Sequence, residues 1–117
     1  MNEIELKLRT KQFAVRIIKL VAALRKNVEG RAIGNQIVRS ATSVGANYRG
    51  ACRGRSKAEF IAKLGTVEEE ADESAYWLEL LIDAHLISPP RVIPLLKEAN
   101  ELTAIMAASR ISASRNS

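Results

Sequence analysis

The feature that most constrains this chain is a run of apolar residues at helical spacing that recurs four times, with three interruptions between. Across residues 3–26 the stripe is Leu6, Phe13, Ile17, Leu20 and Leu24, with Val28 just beyond and Thr10 filling the gap; Lys7, Lys11, Arg16 and Lys19 fall off it. Across 31–51 it is Ile33, Ile37, Ser40, Ala41, Val44, Tyr48 and Ala51. Small side chains crowd this second segment, which suits helix axes that approach closely. A third stripe, up to about His85, reads Phe60, Leu64, Val67, Ala71, Ser74, Leu78 and Leu81. The fourth reads Val92, Leu95, Leu96, Ala99, Leu102, Thr103 and Met106.

The interruptions carry their own chemistry. Residues 27–30 read as the end of the first helix, with Lys26 in its last turn and Gly30 free to take a positive φ. Gly50 and Gly54 mark the exit from the second. Ser56-Lys57-Ala58-Glu59 is a capping box: the Ser56 hydroxyl accepts from the Glu59 backbone N–H, and the Glu59 carboxylate reaches back to the N–H of Ser56. Ser88-Pro89-Pro90 opens the fourth helix, with Ser88 as cap and proline tolerated in the first turn; Pro94 leaves its start open between 89 and 94. Beyond Arg110 the Ser-rich stretch has no period.

Short connections make neighbouring helices antiparallel. The expectation is an all-α, antiparallel up-down-up-down four-helix bundle over 1–110 with a flexible C-terminal tail at 111–117; an alternative two-hairpin handedness satisfies the same pattern. A chain of 117 residues supplies one core, and a core with one Trp, two Tyr and two Phe favours helix packing over a β-sandwich. Ala14, Ile18 and Val21 widen the apolar surface of the first helix, which means either burial between two neighbours or a face reserved for another subunit; the second predicts self-association.

Charge is segregated along the chain. The net charge is +5, a balance that favours acidic partners. From Arg31 to Lys57 there are six basic residues and no acid; from Ala58 to Ile87 there are eight acids against Lys63. Arg49, Arg53, Arg55 and Lys57 form a candidate phosphate-binding end, since arginines suit phosphate oxygens and a turn gathers several of them. The competing reading is neutralisation across adjacent helices. That reading is favoured for Arg39, which can meet Glu70; for the other arginines the two stand level. With no zinc finger, RNA-recognition signature or helix-turn-helix pattern, RNA or DNA would be held through its backbone.

No catalytic constellation is visible. His85 is the single histidine, sits at the end of the third helix where a C-terminal role suits it, and has no nucleophile turn to serve. Cys52 is the single cysteine, which leaves no intrachain disulfide or cysteine metal cluster and reads as a packed small residue. The Glu-x-x-His pairs of bundle metal sites are lacking. Glu69 and Glu73 read as solvated surface, and of Tyr76 and Trp77 one reads as a core and the other as an interface aromatic, in either order. The charged N-terminus and the broken apolar runs lead to the expectation of a cytoplasmic protein with no membrane span, no cofactor and no enzymatic activity.

One stretch resembles a known family. Gln36-Ile37-Val38-Arg39-Ser40-Ala41-Thr42-Ser43-Val44-Gly45-Ala46-Asn47-Tyr48, followed by Arg55-Ser56-Lys57-Ala58-Glu59-Phe60 and Lys63-Leu64, is similar to the 23S rRNA intervening-sequence protein family of bacterial four-helix bundles; Tyr76-Trp77-Leu78-Glu79-Leu80-Leu81 resembles a subgroup. Many members carry an acid before the glycine that follows this run, where Arg49 stands here, so this corner is more basic. The resemblance implies a cytoplasmic bacterial protein without established enzymatic activity that forms ring-like homopentamers. It also extends to the accessory variability determinant of diversity-generating retroelements, which implies a basic surface for nucleic acid and a protein partner. Gln36, Arg39, Ser43 and Asn47 share one side of the second helix at three- and four-residue spacing. They are expected to form a structural polar network or an interface. The leading function is a homo-oligomeric adaptor that contacts RNA or DNA; the alternative is a scaffold that binds another polypeptide alone.

Overall fold

The computed structural model describes residues 1–116, which form four helices: α1 Glu3–Ala22, α2 Val28–Cys52, α3 Lys57–Asp83 and α4 Pro89–Arg115. Each helix packs against its neighbours in chain order, and α4 closes on α1. With only residues 23–27, 53–56 and 84–88 between them, successive helices reverse direction, which makes an antiparallel up-down-up-down bundle of 48 × 20 × 20 Å. The α3–α4 and α2–α3 seams are the broadest and the α1–α4 seam is the thinnest.

Side-chain caps fix where three helices start. The Asn2 Oδ1 accepts from Glu5 N at 2.8 Å, the Asn27 Oδ1 from Gly30 N at 2.8 Å, and the Ser56 Oγ from Glu59 N at 3.1 Å. Each satisfies one of the amides that a helix N-terminus leaves without an internal partner. The return half of the capping box is displaced by one residue: the Glu59 carboxylate takes the N–H of Arg55 at 3.2 Å, not that of Ser56.

The four stripes meet on the bundle axis. Phe13, Ile17, Ile37, Val44, Leu64, Val67, Leu78, Leu81, Val92, Leu102 and Met106 are fully enclosed. Polar members of the stripes are satisfied in place. Thr10 donates to Leu6 O at 2.8 Å inside its own helix, and the Ser40 and Ser74 hydroxyls meet at 2.8 Å across the α2–α3 seam.

The first interruption differs from the sequence expectation. α1 stops at Ala22, short of 26, and residues 27–30 begin α2 instead of ending α1. Asn27 is an N-cap, Gly30 lies in the first turn of α2, and no glycine has a positive φ. Gly30 is required for a different reason: a Cβ there would lie 2.2 Å from the carbonyl oxygen of Arg25. Val28, read as the end of the first stripe, becomes the first residue of α2 and is 78% exposed.

The residue in left-handed conformation is His85, with φ 56°. Its N–H bonds to Ile82 O and the N–H of Leu86 to Leu81 O, the paired bonds of a Schellman ending. α4 starts at Pro89, where Ser88 makes no side-chain cap bond, and carries Pro94 inside it. The helix continues through the Ser-rich stretch to Arg115, past the boundary expected at 110. Arg110 ties it to Glu68 of α3 at 2.9 Å, and Ser114 donates to Arg110 O. Ser117, the last residue of the expected tail, lies outside the described residues.

Candidate nucleic-acid interface

The arginines divide into those that meet carboxylates and those that do not. Arg39 of α2 reaches across to α3, donating to Glu70 at 3.3 Å and to Glu73, so Glu73 is an ion-pair partner and not solvated surface. Glu73, then Glu70, holds the Arg39 guanidinium more firmly protonated than usual. Burial pushes the Glu70 carboxyl above the usual glutamate range, with Arg39 pulling the other way. Arg9 of α1 grips Glu98 of α4 with two nitrogens at 2.7 and 2.6 Å and touches Glu101 at 3.3 Å. Such a fork is the stronger form of an arginine–carboxylate pair. These cations, with Arg110, stitch helices together.

Arg49, Arg53, Arg55 and Lys57 are exposed. Among the described residues none of the four has an ion-pair partner. The nearby Glu59 is engaged by the Arg55 N–H and by Lys63 at 3.5 Å. Arg49 and Arg53 ride the last turn and cap of α2, where cations complement the helix dipole. Arg55 and Lys57 stand on the turn into α3.

Packing adds two residues that the sequence pattern did not single out. Arg49 and Arg53 line a groove of about 490 Å³ between α1 and α2, whose other walls are Lys7, Leu8, Lys11, Ala14, Thr42, Gly45 and Ala46. No acid lines it. The Lys7–Lys11 spacing already placed both lysines on one side of α1. Their opposition to Arg49 and Arg53 depends on the rotation of α1 against α2, which pack with Thr10 beside Gly45. Lys7 also pairs with Glu3 at 3.2 Å, which holds the Glu3 carboxyl below its usual range.

Gln36, Arg39 and Ser43 form a chain along α2. Arg39 Nε donates to the Gln36 carbonyl at 3.3 Å, and the Ser43 hydroxyl donates to Arg39 O at 2.7 Å. Asn47, half-buried one turn further, makes no side-chain hydrogen bond to them. Cys52 packs half-buried against the core beside Tyr48. Burial pushes both the Cys52 thiol and the Tyr48 hydroxyl up, which keeps the thiol protonated and poorly nucleophilic. Among the described residues no group of three His, Cys, Asp or Glu side chains is placed to hold a metal ion, and no helix is long and apolar enough to cross a membrane.

The arrangement sets Lys11, Arg49 and Arg53, which meet no carboxylate among the described residues, and Lys7, which is paired with Glu3, around one groove where an extended anion would meet all four. Comparison with known proteins places the chain by descent. A family described as the 23S rRNA-intervening sequence protein matches residues 2–108. A solved structure, a protein of unknown function from the S23 ribosomal protein family of Bacteroides thetaiotaomicron, is 34% identical and superposes with a TM-score of 0.86, covering 94% of this chain and 98% of that one. Among curated proteins none matches.

Proposed function

From a chain that belongs to the 23S rRNA-intervening sequence protein family, we propose a non-enzymatic, self-associating adaptor that holds RNA or DNA by its phosphate backbone. The observation that carries this reading is the division of the arginines. Arg9, Arg39 and Arg110 meet carboxylates on a facing helix; of the arginines that meet none among the described residues, Arg49, Arg53 and Arg55 fall together where α2 ends and α3 begins. A surface that leaves cations unneutralised while nearby acids are taken up elsewhere favours a polyanion. The interface offers no aromatic side chain to stack a base, so contact would be independent of sequence.

Self-association is supported by the outer face of α1. Ile4 is 77% exposed, Leu8 56%, Val15 43% and Ile18 49%. Ile4, Val15 and Ile18 do not line the α1–α2 groove, whereas Leu8 does, so the first three are the positions free to pair with another subunit. The cytoplasm is the compartment in which such an adaptor would meet RNA or DNA, and the homopentamer implied by the family resemblance is the assembly we expect.

The test is binding of unrelated labelled RNA and DNA oligonucleotides across a salt series. The triple change Arg49→Glu, Arg53→Glu and Arg55→Glu is expected to abolish binding that the parent shows at low salt, with the helical circular dichroism unchanged. No binding by the parent at low salt refutes the reading. A protein partner retained from a nuclease-treated lysate by parent and triple variant alike favours a protein-only scaffold.

A further inference from the structure

The groove between α1 and α2 is more specific than a patch of positive charge. Its rims are two helices, and each rim carries a pair of cations one helical turn apart: Lys7 and Lys11 on α1, Arg49 and Arg53 on α2. Four residues along a helix advance about 6 Å, a step of the same order as the spacing of neighbouring phosphates along one nucleic-acid strand. The floor between the rims is made of small side chains, Ala14, Thr42, Gly45 and Ala46. Leu8, 56% exposed, stands on the α1 rim between Lys7 and Lys11 as the larger apolar side chain of the lining.

We infer that this groove is a track for a single phosphodiester strand, whose backbone lies between the lysines of α1 and the arginines of α2. The inference rests on the proposed nucleic-acid reading and narrows it to one ligand form and one seat. A groove of about 490 Å³ has room for a short run of one phosphodiester chain and not for the body of a duplex. The regular cation spacing suits a polymer with evenly placed charges better than an acidic polypeptide, whose carboxylates fall at irregular intervals. Glu3, paired with Lys7, is the acid nearest the α1 rim, and an exposed pair of this kind yields readily to a phosphate. Arg55 and Lys57 are outside the groove and serve as guides at its mouth.

Fluorescence anisotropy with a 5′-labelled 12-mer of thymidylate, and with the same strand in a duplex, tests the track. The parent should bind the single strand at least tenfold more tightly than the duplex. Its affinity should fall with salt at a log–log slope of about −3, which is four phosphates at about −0.7 each. Lys7→Gln with Lys11→Gln should weaken strand binding tenfold or more and cut the slope by about half. Ala46→Leu, which raises the floor without changing charge at an exposed helical position, should weaken it at least fivefold; Arg55→Gln with Lys57→Gln should have the smaller effect. Circular dichroism controls for folding.

If the lysine pair and Ala46→Leu leave affinity unchanged while Arg49→Glu with Arg53→Glu and Arg55→Glu abolishes it, the surface binds nucleic acid and the track is wrong. Equal or tighter duplex binding also overturns the track, as does displacement of the strand by poly-glutamate at equal charge concentration. Failure of the parent to bind any oligonucleotide at low salt removes the track together with the nucleic-acid reading.

Discussion

Four residues in this protein hold positions unusual for their side chains. His85 ends α3 in a left-handed conformation that an L side chain resists by about 1–2 kcal/mol, while glycine adopts it freely at a smaller entropic cost. His85→Gly should therefore stabilise the fold by about 0.5–1 kcal/mol in urea denaturation; a loss of stability would mean that the imidazole contributes more than its backbone strain. Ser40 and Ser74 are fully buried and hydrogen-bonded to each other across the α2–α3 seam. Each also has a carbonyl in reach, Ile37 O for Ser40 and Glu70 O for Ser74. Ser40→Ala should thus cost only about 1 kcal/mol or less. Ser40→Val, which adds bulk where two helices touch, should cost about 1–3 kcal/mol. If valine proves no worse than alanine, closeness of packing is not what the serine provides. Gly30 belongs with these residues, since the carbonyl of Arg25 occupies the space of a side chain.

At the scale of the elements, α1 is the unusual helix. It is the shortest, buries one face through Leu6, Thr10, Phe13, Ile17 and Leu20, and leaves a second apolar face to solvent. A second face of this kind on a surface helix is more than the core requires. Val15→Glu with Ile18→Glu should convert a self-associated species into a monomer by sedimentation velocity while leaving the helical circular dichroism intact; a parent that is already monomeric at micromolar concentration would contradict the assignment. α4 shows a different tension. Pro94 has no N–H to offer the carbonyl of Pro90, yet the helix runs unbroken from Pro89 to Arg115. Burial of Val92, Leu95, Ala99, Leu102 and Met106 against the rest of the bundle overrides the local penalty.

Over the whole molecule, cohesion and charge are both uneven. α2, α3 and α4 share the broad seams, while α1 meets α4 along the thinnest one, tied by the Arg9 fork to Glu98. In native-state hydrogen exchange of the Val15→Glu, Ile18→Glu variant, α1 amides should exchange before those of α3, and Arg9→Met should widen the gap. Equal protection of α1 and α3 would show a single cooperative unit with no weak edge. The basic groove lies on the α1–α2 side, and α3, whose outer surface carries Glu69, Asp72, Glu79 and Asp83, stands diagonally across from α1. A polyanion approaching this molecule is drawn to one side and repelled from the other.

The sequence by itself determined the four helices, their antiparallel order and nearly every core position. Those follow from local periodicity, which a helix converts directly into a face: Phe13, Ile17, Ile37, Leu64 and Leu102 are buried because they recur with the helical turn. Its capping signal at Ser56 was also local and held, apart from the one-residue displacement of the Glu59 contact. Where a signal was ambiguous between the end of one helix and the start of the next, as at Asn27 and Gly30, composition alone assigned it to the wrong helix. The Ser-rich end of α4 read as tail because serine favours turns over helix, whereas a neighbouring α3 and the Arg110–Glu68 pair carry the helix on. Only the tertiary structure decided which cations are neutralised and which are free, and that Lys7 and Lys11 face Arg49 and Arg53 across one groove. Those facts depend on how far each helix is rotated about its own axis, and that angle is set by contacts between segments distant in the chain, such as the packing of α1 against α2.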